Sequence, residues 1–110
     1  MDTKQVQNET SAKIAALNDR HRRGMQGCTV TKGIVAMGNA ANEVFVAVRD
    51  YTDFTEDNDP YGEHDFGSLE VAGSRIFWKI DYYDENLKNW CNPLDPDCHR
   101  ILTIMLADEY

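Results

Sequence analysis

The segment Asp57-Asn58-Asp59-Pro60-Tyr61-Gly62-Glu63-His64-Asp65-Phe66-Gly67 places four carboxylates and one imidazole in a turn-rich run. A carboxylate beside an imidazole raises its basicity and fixes its tautomer, the pairing that general acid-base hydrolysis requires. His64 with Glu63, Asp65 or the more distant Asp81 is therefore a candidate catalytic group. A calcium loop starting at Asp57 would put Asp59 third, Gly62 sixth and the Glu63 carbonyl seventh, but Tyr61 stands fifth and Ser68 twelfth, where a bidentate glutamate should close the shell. The His64-Asp65 pair is also found in metal phosphohydrolases. Those sites need further histidines, and this chain has only His21 and His99 besides. The plainest alternative is structural: Asp and Asn side chains cap the turns and His64 stiffens the loop by bonding a carboxylate.

Other chemistry-bearing residues give weaker patterns. Cys91, Cys98 and His99 are soft ligands, yet six residues separate the two cysteines, where zinc sites place two to four, so free thiols are expected. No glycine run opens a helix in the spacing of a phosphate loop, and no metal or cofactor is expected. Arg20, His21, Arg22 and Arg23 form a basic cluster whose place in the last turn of a helix complements the helix dipole.

The net charge of −8 is unevenly distributed: residues 1–49 carry 7 basic and 4 acidic side chains, and residues 50–110 carry 4 and 15. Such a C-terminal half repels a phosphate backbone and attracts a basic protein surface. Direct binding to nucleic acid is thus disfavoured. The three cysteines fall at no repeating spacing, no apolar leader precedes Thr10, and no apolar run approaches the roughly 18 residues of a membrane span. A cytoplasmic protein free of membranes is the expectation.

The elements that position these residues follow from periodicity and punctuation. Residues 1–9 are polar and read as a disordered tail, with one domain over 10–110. Thr10 to Arg23 reads as a short helix, with Ile14 and Leu17 on one face and Gly24 as a left-handed stop. Cys28 to Met37 reads as a strand with a bulge at Gly33. A second helix follows Asn39, with Ala41, Val44, Phe45 and Val48 as its apolar stripe. Asp50 to Gly67 is a long loop.

A hairpin follows with Gly73 and Ser74 at its turn, so that Val71 opposes Ile76, Leu69 opposes Trp78 and Phe66 opposes Asp81. Its inward face is Leu69, Val71, Ile76, Trp78 and Ile80, leaving Phe77 and Asp81 outward and Tyr83 at the margin. A proline-bearing connection, Asp84 to Cys98, leads to Arg100–Leu106, which is apolar on both alternating sets and suits a buried strand, with a helix as the alternative. The fold class expected is α+β, a small, mostly antiparallel four-stranded sheet with two helices packed on one face.

Four stretches carry a family resemblance: Lys13 to Asp19, Asp57 to Gly67, Trp78 to Asp84 and Leu102 to Tyr110. Together they resemble the small proteobacterial domain-of-unknown-function family 3768, over about residues 12–110. The resemblance implies a bacterial setting among accessory genes of mobile elements, and it carries no catalytic residues with it.

The reading favoured by the charge pattern is a non-enzymatic, acidic protein-binding module that contacts a basic partner through Asp57, Asp59, Glu63, Asp65 and Asp81, with Phe77 and Tyr83 as aromatic contacts. By analogy with small acidic proteins of mobile elements, the partner class is a host nucleoprotein complex and the activity an inhibition of antirestriction or anti-CRISPR type. A small metal-assisted or acid-base hydrolase centred on His64 is the alternative.

Overall fold

A computed structural model describes the backbone of residues 3–110 and the side chains of residues 7–110. Helix α1 spans Thr3–Gly24, well ahead of the start expected at Thr10, because neither glycine nor proline interrupts the stretch before Gly24. Residues 3–9 of the expected tail continue the helix, and residues 1–2 lie outside the described residues. The left-handed stop falls at Met25 and Gly27, with φ of 54° and 62°, one and three residues past Gly24.

The strand expected over Cys28 to Met37 is only β1, Cys28–Val30, followed by a helical turn, α2, Lys32–Val35. Gly33 is not a bulge. Its backbone amide donates to Glu109 at 2.9 Å, and a Cβ there would collide with Leu106 and Glu109. The third helix, α3, covers Ala40–Arg49 after Asn39, with Val44 and Val48 buried as the stripe requires.

The hairpin is β2, Phe66–Val71, and β3, Ser74–Tyr83, closed by Ala72 and Gly73 at φ of 52° and 80°. The turn lies one residue earlier than expected, so Leu69 pairs with Ile76, Gly67 with Trp78, and Phe66 with Lys79 rather than Asp81. Each partner moves by two positions. A shift of two preserves every side chain's face, so the inward set survives the change of register.

Strand β4, His99–Leu106, settles the strand-or-helix choice in favour of the strand. It sits between β1 and β3 in the order β1-β4-β3-β2, parallel to β1 and antiparallel to β3. The fold is therefore α+β with a mixed sheet, not a mostly antiparallel one, and with three α-helices among the described residues rather than two. The parallel pairing joins Cys28 to Leu102, and no local turn signal announces so distant a partner.

Ile76, Trp78, Ile80 and Tyr82 from β3 and Leu102 and Ile104 from β4 are buried with Ile14, Ile34, Val44 and Val48 from the three helices. Fully burying one such aliphatic or aromatic side chain contributes roughly 1.5–3 kcal/mol. On the opposite face, Phe66, Phe77 and Tyr110 form a ring cluster with centroids 5.3–6.2 Å apart. Met105, paired with Phe77 on that face, is buried, which explains why β4 is apolar on both alternating sets. No helix among the described residues is long and apolar enough to cross a membrane.

Candidate functional site

The loop between α3 and β2, residues 51–65, has no regular hydrogen-bond ladder, so its shape depends on side chains. Tyr51 is buried and meets Trp78 edge-on at 5.5 Å and Phe54 at 5.0 Å. Phe54 in turn stacks on His64, with ring centroids 3.8 Å apart and planes 2° from parallel. Thr55 and Asn58 exchange hydrogen bonds at 2.8 and 3.2 Å, closing the first turn. The Asp59 carboxylate accepts from the backbone amides of Glu63 and His64 at 3.2–3.4 Å, closing the second. Gly62 and His64 both take positive φ, 67° and 57°. His64 has a Cβ, and its contacts hold it in that region against the intrinsic preference.

Helix α1 supplies the rest of the frame. His64 Nδ1 donates to the Asp19 carboxylate at 3.0 Å, and its Nε2 faces Asp59 at 3.7 Å. Arg22, fully buried, donates to Val48 O at 3.0 Å, Tyr51 O at 2.9 Å and Asp19 Oδ1 at 3.0 Å, and its guanidinium lies over Trp78 at 5.0 Å. It thus satisfies the Tyr51 carbonyl, which no helix or strand reaches, and adds a second donor to Val48 O, which already accepts from the Tyr51 amide at 3.2 Å. Asn18, also fully buried, donates to Glu63 O at 2.9 Å and Tyr82 Oη at 2.8 Å and accepts from Arg100 Nε at 2.7 Å. Between α1 and the loop lies a cleft of about 370 Å³, lined by Ser11, Phe54, Asp59, Tyr61 and His64 among others.

The electrostatics of the corner are lopsided. Burial first, then the charges of Asp65 and Asp59, push the Glu63 carboxyl above the usual carboxylate range. Asp65 is raised by burial and by Asp59 and Asp81, against the opposing pull of its own backbone amide and His64. The Tyr82 hydroxyl is pushed up to about 12, chiefly by burial, and acts as a neutral hydrogen-bonding group. Among the described residues neither Glu63 nor Asp65 has a cation within ion-pair distance, whereas Asp19 has Arg22 and His64.

The structure brings Asp59, Glu63, His64 and Asp65 into this corner, but the carboxylates that hold His64 are Asp19 and Asp59. Glu63, Asp65 and Asp81, the partners expected for it, form no ion pair with the ring. Asp59 is an internal support, its side chain only 7 % exposed. Asp57 is exposed at the loop's tip. Phe77, Asp81 and Tyr83 alternate with the buried residues of β3 and lie on the other face, where Asp81 pairs with Lys79 at 3.1 Å.

Sequence reasoning missed the roles of Asn18, Asp19, Arg22 and Phe54, and the bond that Asn18 makes to Tyr82. A signal was present: Ile14, Asn18 and Arg22 recur every four residues on α1 and form its buried stripe, while Leu17 is 36 % exposed. The expected pairing of Ile14 with Leu17 on one face is corrected accordingly, and Arg22, grouped with Arg20, His21 and Arg23 as a last-turn cation, is instead buried against the 51–65 loop. Cys28, Cys91 and Cys98 are free thiols, and no group of three or more His, Cys, Asp or Glu among the described residues is arranged to hold a metal ion.

The fold and this corner define a small α+β domain whose acidic loop is fastened to a helix by buried polar side chains. The chain belongs to the family described as "Protein of unknown function (DUF3768)", whose model matches residues 30–109. That range contains the loop and strands β2, β3 and β4 but only Val30 of β1, and it leaves α1, with Asn18, Asp19 and Arg22, outside the matched residues. No curated protein and no solved structure matches the chain.

Proposed function

We propose that this protein is a non-enzymatic, acidic binding module that docks on a basic protein surface through the outer side of the 51–65 loop. The observation that carries this reading is the pair Glu63 and Asp65, their carboxyls raised by burial and by neighbouring carboxylates, with no cation within ion-pair distance of either among the described residues. A lysine or arginine from a partner relieves that repulsion, and the gain is larger in a partly buried corner than at a fully solvated surface. Tyr61, 78 % exposed next to this pair, supplies the aromatic contact from which binding energy is often drawn. Glu56 and Asp57 extend the acidic rim.

The surface so defined omits Phe77, Asp81 and Tyr83, which lie across the sheet, and retains Asp59 as a support for the loop. A basic, nucleic-acid-binding partner fits best, because a carboxylate-lined loop can occupy a channel evolved for phosphates. Inhibition of a bacterial defence complex, of the antirestriction or anti-CRISPR type, by a cytoplasmic protein of a mobile element is the setting this chemistry suggests. The hydrolytic alternative has less support, since both ring nitrogens of His64 face carboxylates that hold the loop.

The test is capture from a bacterial lysate by the wild type and by an Asp57→Asn, Glu63→Gln, Asp65→Asn variant, with the bound protein identified by mass spectrometry. The expected outcome is a basic protein held by the wild type, lost from the variant and released as salt is raised, because exposed charges are screened beyond roughly 8 Å at physiological ionic strength. Equal capture by both forms, or a complex insensitive to salt, would contradict the reading.

A further inference from the structure

The C-terminal end of α1 borders a second cavity, of about 590 Å³, lined by Leu17, Arg20, His21, Cys98, His99 and Arg100 together with the Gly24–Gly27 turn. Its charge is opposite to that of the acidic corner. Arg20 comes from α1 and Arg100 from β4, so the cluster exists only in the fold. Arg100 donates Nε to Asn18 Oδ1 at 2.7 Å and Nη2 to Pro93 O at 2.6 Å, both uncharged acceptors. Neither Arg20 nor Arg100 has an ion-pair partner among the described residues, in a chain where 19 acidic residues outnumber 11 basic ones. The helix dipole accounts for a cation at Arg20, in the last turns of α1, but not for a second one arriving at the start of a strand.

The remaining lining is compatible with an anion. Burial, and then the Arg100 charge, push the His21 imidazole toward its neutral form, and burial pushes the Cys98 thiol up, so neither adds a negative charge. Half-exposed Leu17 provides an apolar wall. We propose that this cavity binds a small phosphate-bearing molecule, with its phosphoryl group between Arg20 and Arg100 and its organic part against Leu17. Guanidinium forks match phosphate oxygens in geometry and charge, and the volume falls in the range of small-molecule sites, well above what a bare phosphate fills.

The test uses the full chain at constant ionic strength, titrated separately with inorganic phosphate, ribose 5-phosphate and AMP and followed by backbone amide NMR. Saturable shifts confined to Gly24, Gly27, Cys98, Arg100 and their neighbours are expected, with the monoesters binding more tightly than inorganic phosphate. Arg20→Gln, whose side chain makes no ion pair in the fold, should weaken monoester binding about tenfold with an unchanged amide spectrum, the loss of one charge-assisted hydrogen bond. Lys32→Gln, outside the cavity, should leave it unchanged. An absence of saturable shifts, shifts elsewhere in the molecule, or equal affinity in Arg20→Gln would overturn the site. Inorganic phosphate binding as tightly as the monoesters would overturn the small-molecule assignment.

Discussion

The chain has two long irregular segments rich in carboxylates, 51–65 and 84–98, and they are built differently. In the second, Asp84 Oδ1 accepts from the amides of Asn86, Lys88 and Asn89 at 3.1–3.4 Å, Asn92 caps Leu94 at 2.9 Å, and Asp95 caps Asp97 at 2.9 Å. These bonds reach two to five residues along the chain and use carboxylates for the loop's own turns. In the first, Asn18, Asp19 and Arg22 reach in from a helix far away in sequence, and the bonds from Asn18 and Asp19 span 45 residues. A density of acidic residues is therefore not a site by itself. Exposed carboxylates without partners occur in both loops; the difference is that Glu63 and Asp65 are partly buried, with their carboxyls raised.

The contrast breaks most readily at Arg22. Arg22→Met leaves the Tyr51 carbonyl without a donor and removes one donor each from Val48 O, which keeps the Tyr51 amide, and from Asp19, which keeps His64; it should cost about 3 kcal/mol in chemical denaturation, with the 51–65 amides losing exchange protection first. Gly67→Ala comes next: its Cβ would overlap the Trp78 indole in the core, and overpacking of this kind costs about 2 kcal/mol. His64→Ala removes the bond to Asp19 and the stack on Phe54, for a loss of about 1 kcal/mol. His64→Gly, which accepts the positive φ freely, should be less damaging than alanine, and a larger loss for glycine would contradict the strain argument. Asp84→Ala should shift Tm less than His64→Ala, with loosening confined to residues 84–89.

A pH titration separates the loops by sign. Glu63 and Asp65 hold their protons more tightly folded than unfolded, so the folded chain takes up protons first as pH falls from 7 toward their ordinary values of 4.5 and 3.8. Their contribution to stability should therefore rise over that interval, opposed by His21, whose imidazole is held below its ordinary 6.5 by burial and the Arg100 charge. Asp84 and Glu109 are held below their ordinary values of 3.8 and 4.5, by the Lys88 amide and Asn89 side chain and by Thr31 and the Leu106 amide respectively. Their contribution is present above those values and is lost as pH falls through the folded ones. The Tm of the wild type relative to the Glu63→Gln, Asp65→Asn variant should thus rise as pH falls from 7 toward 4, while the fall at lower pH is kept by both.

What was legible in the sequence was local. Helix α3 could be read from Asn39 and its apolar stripe, and the inward face of the hairpin from alternation, which survived a two-residue error in pairing because the side-chain period is two. The 57–67 segment was recognisable as the place where loop chemistry concentrates. The parallel pairing of β1 with β4 was not legible, since nothing near Cys28 or Leu102 encodes a partner so far along the chain. The buried stripe of α1 was hidden because it continues from Ile14 into Asn18 and Arg22, polar residues whose burial is compensated only by acceptors on other elements. For the same reason the partners of His64 were misassigned to its neighbours in sequence.

The central claim is that the partly buried carboxylates Glu63 and Asp65 of the 51–65 loop, and not acidity in general, make the docking surface. It is tested most directly by measuring the affinity of one captured partner for two charge-matched variants, Asp57→Asn, Glu63→Gln, Asp65→Asn in the first loop and Glu85→Gln, Asp95→Asn, Asp97→Asn in the second. The account predicts at least about a tenfold loss for the first variant and near wild-type binding for the second. Equal losses in both would mean that net charge alone drives the association, and a larger loss in the second would contradict the account.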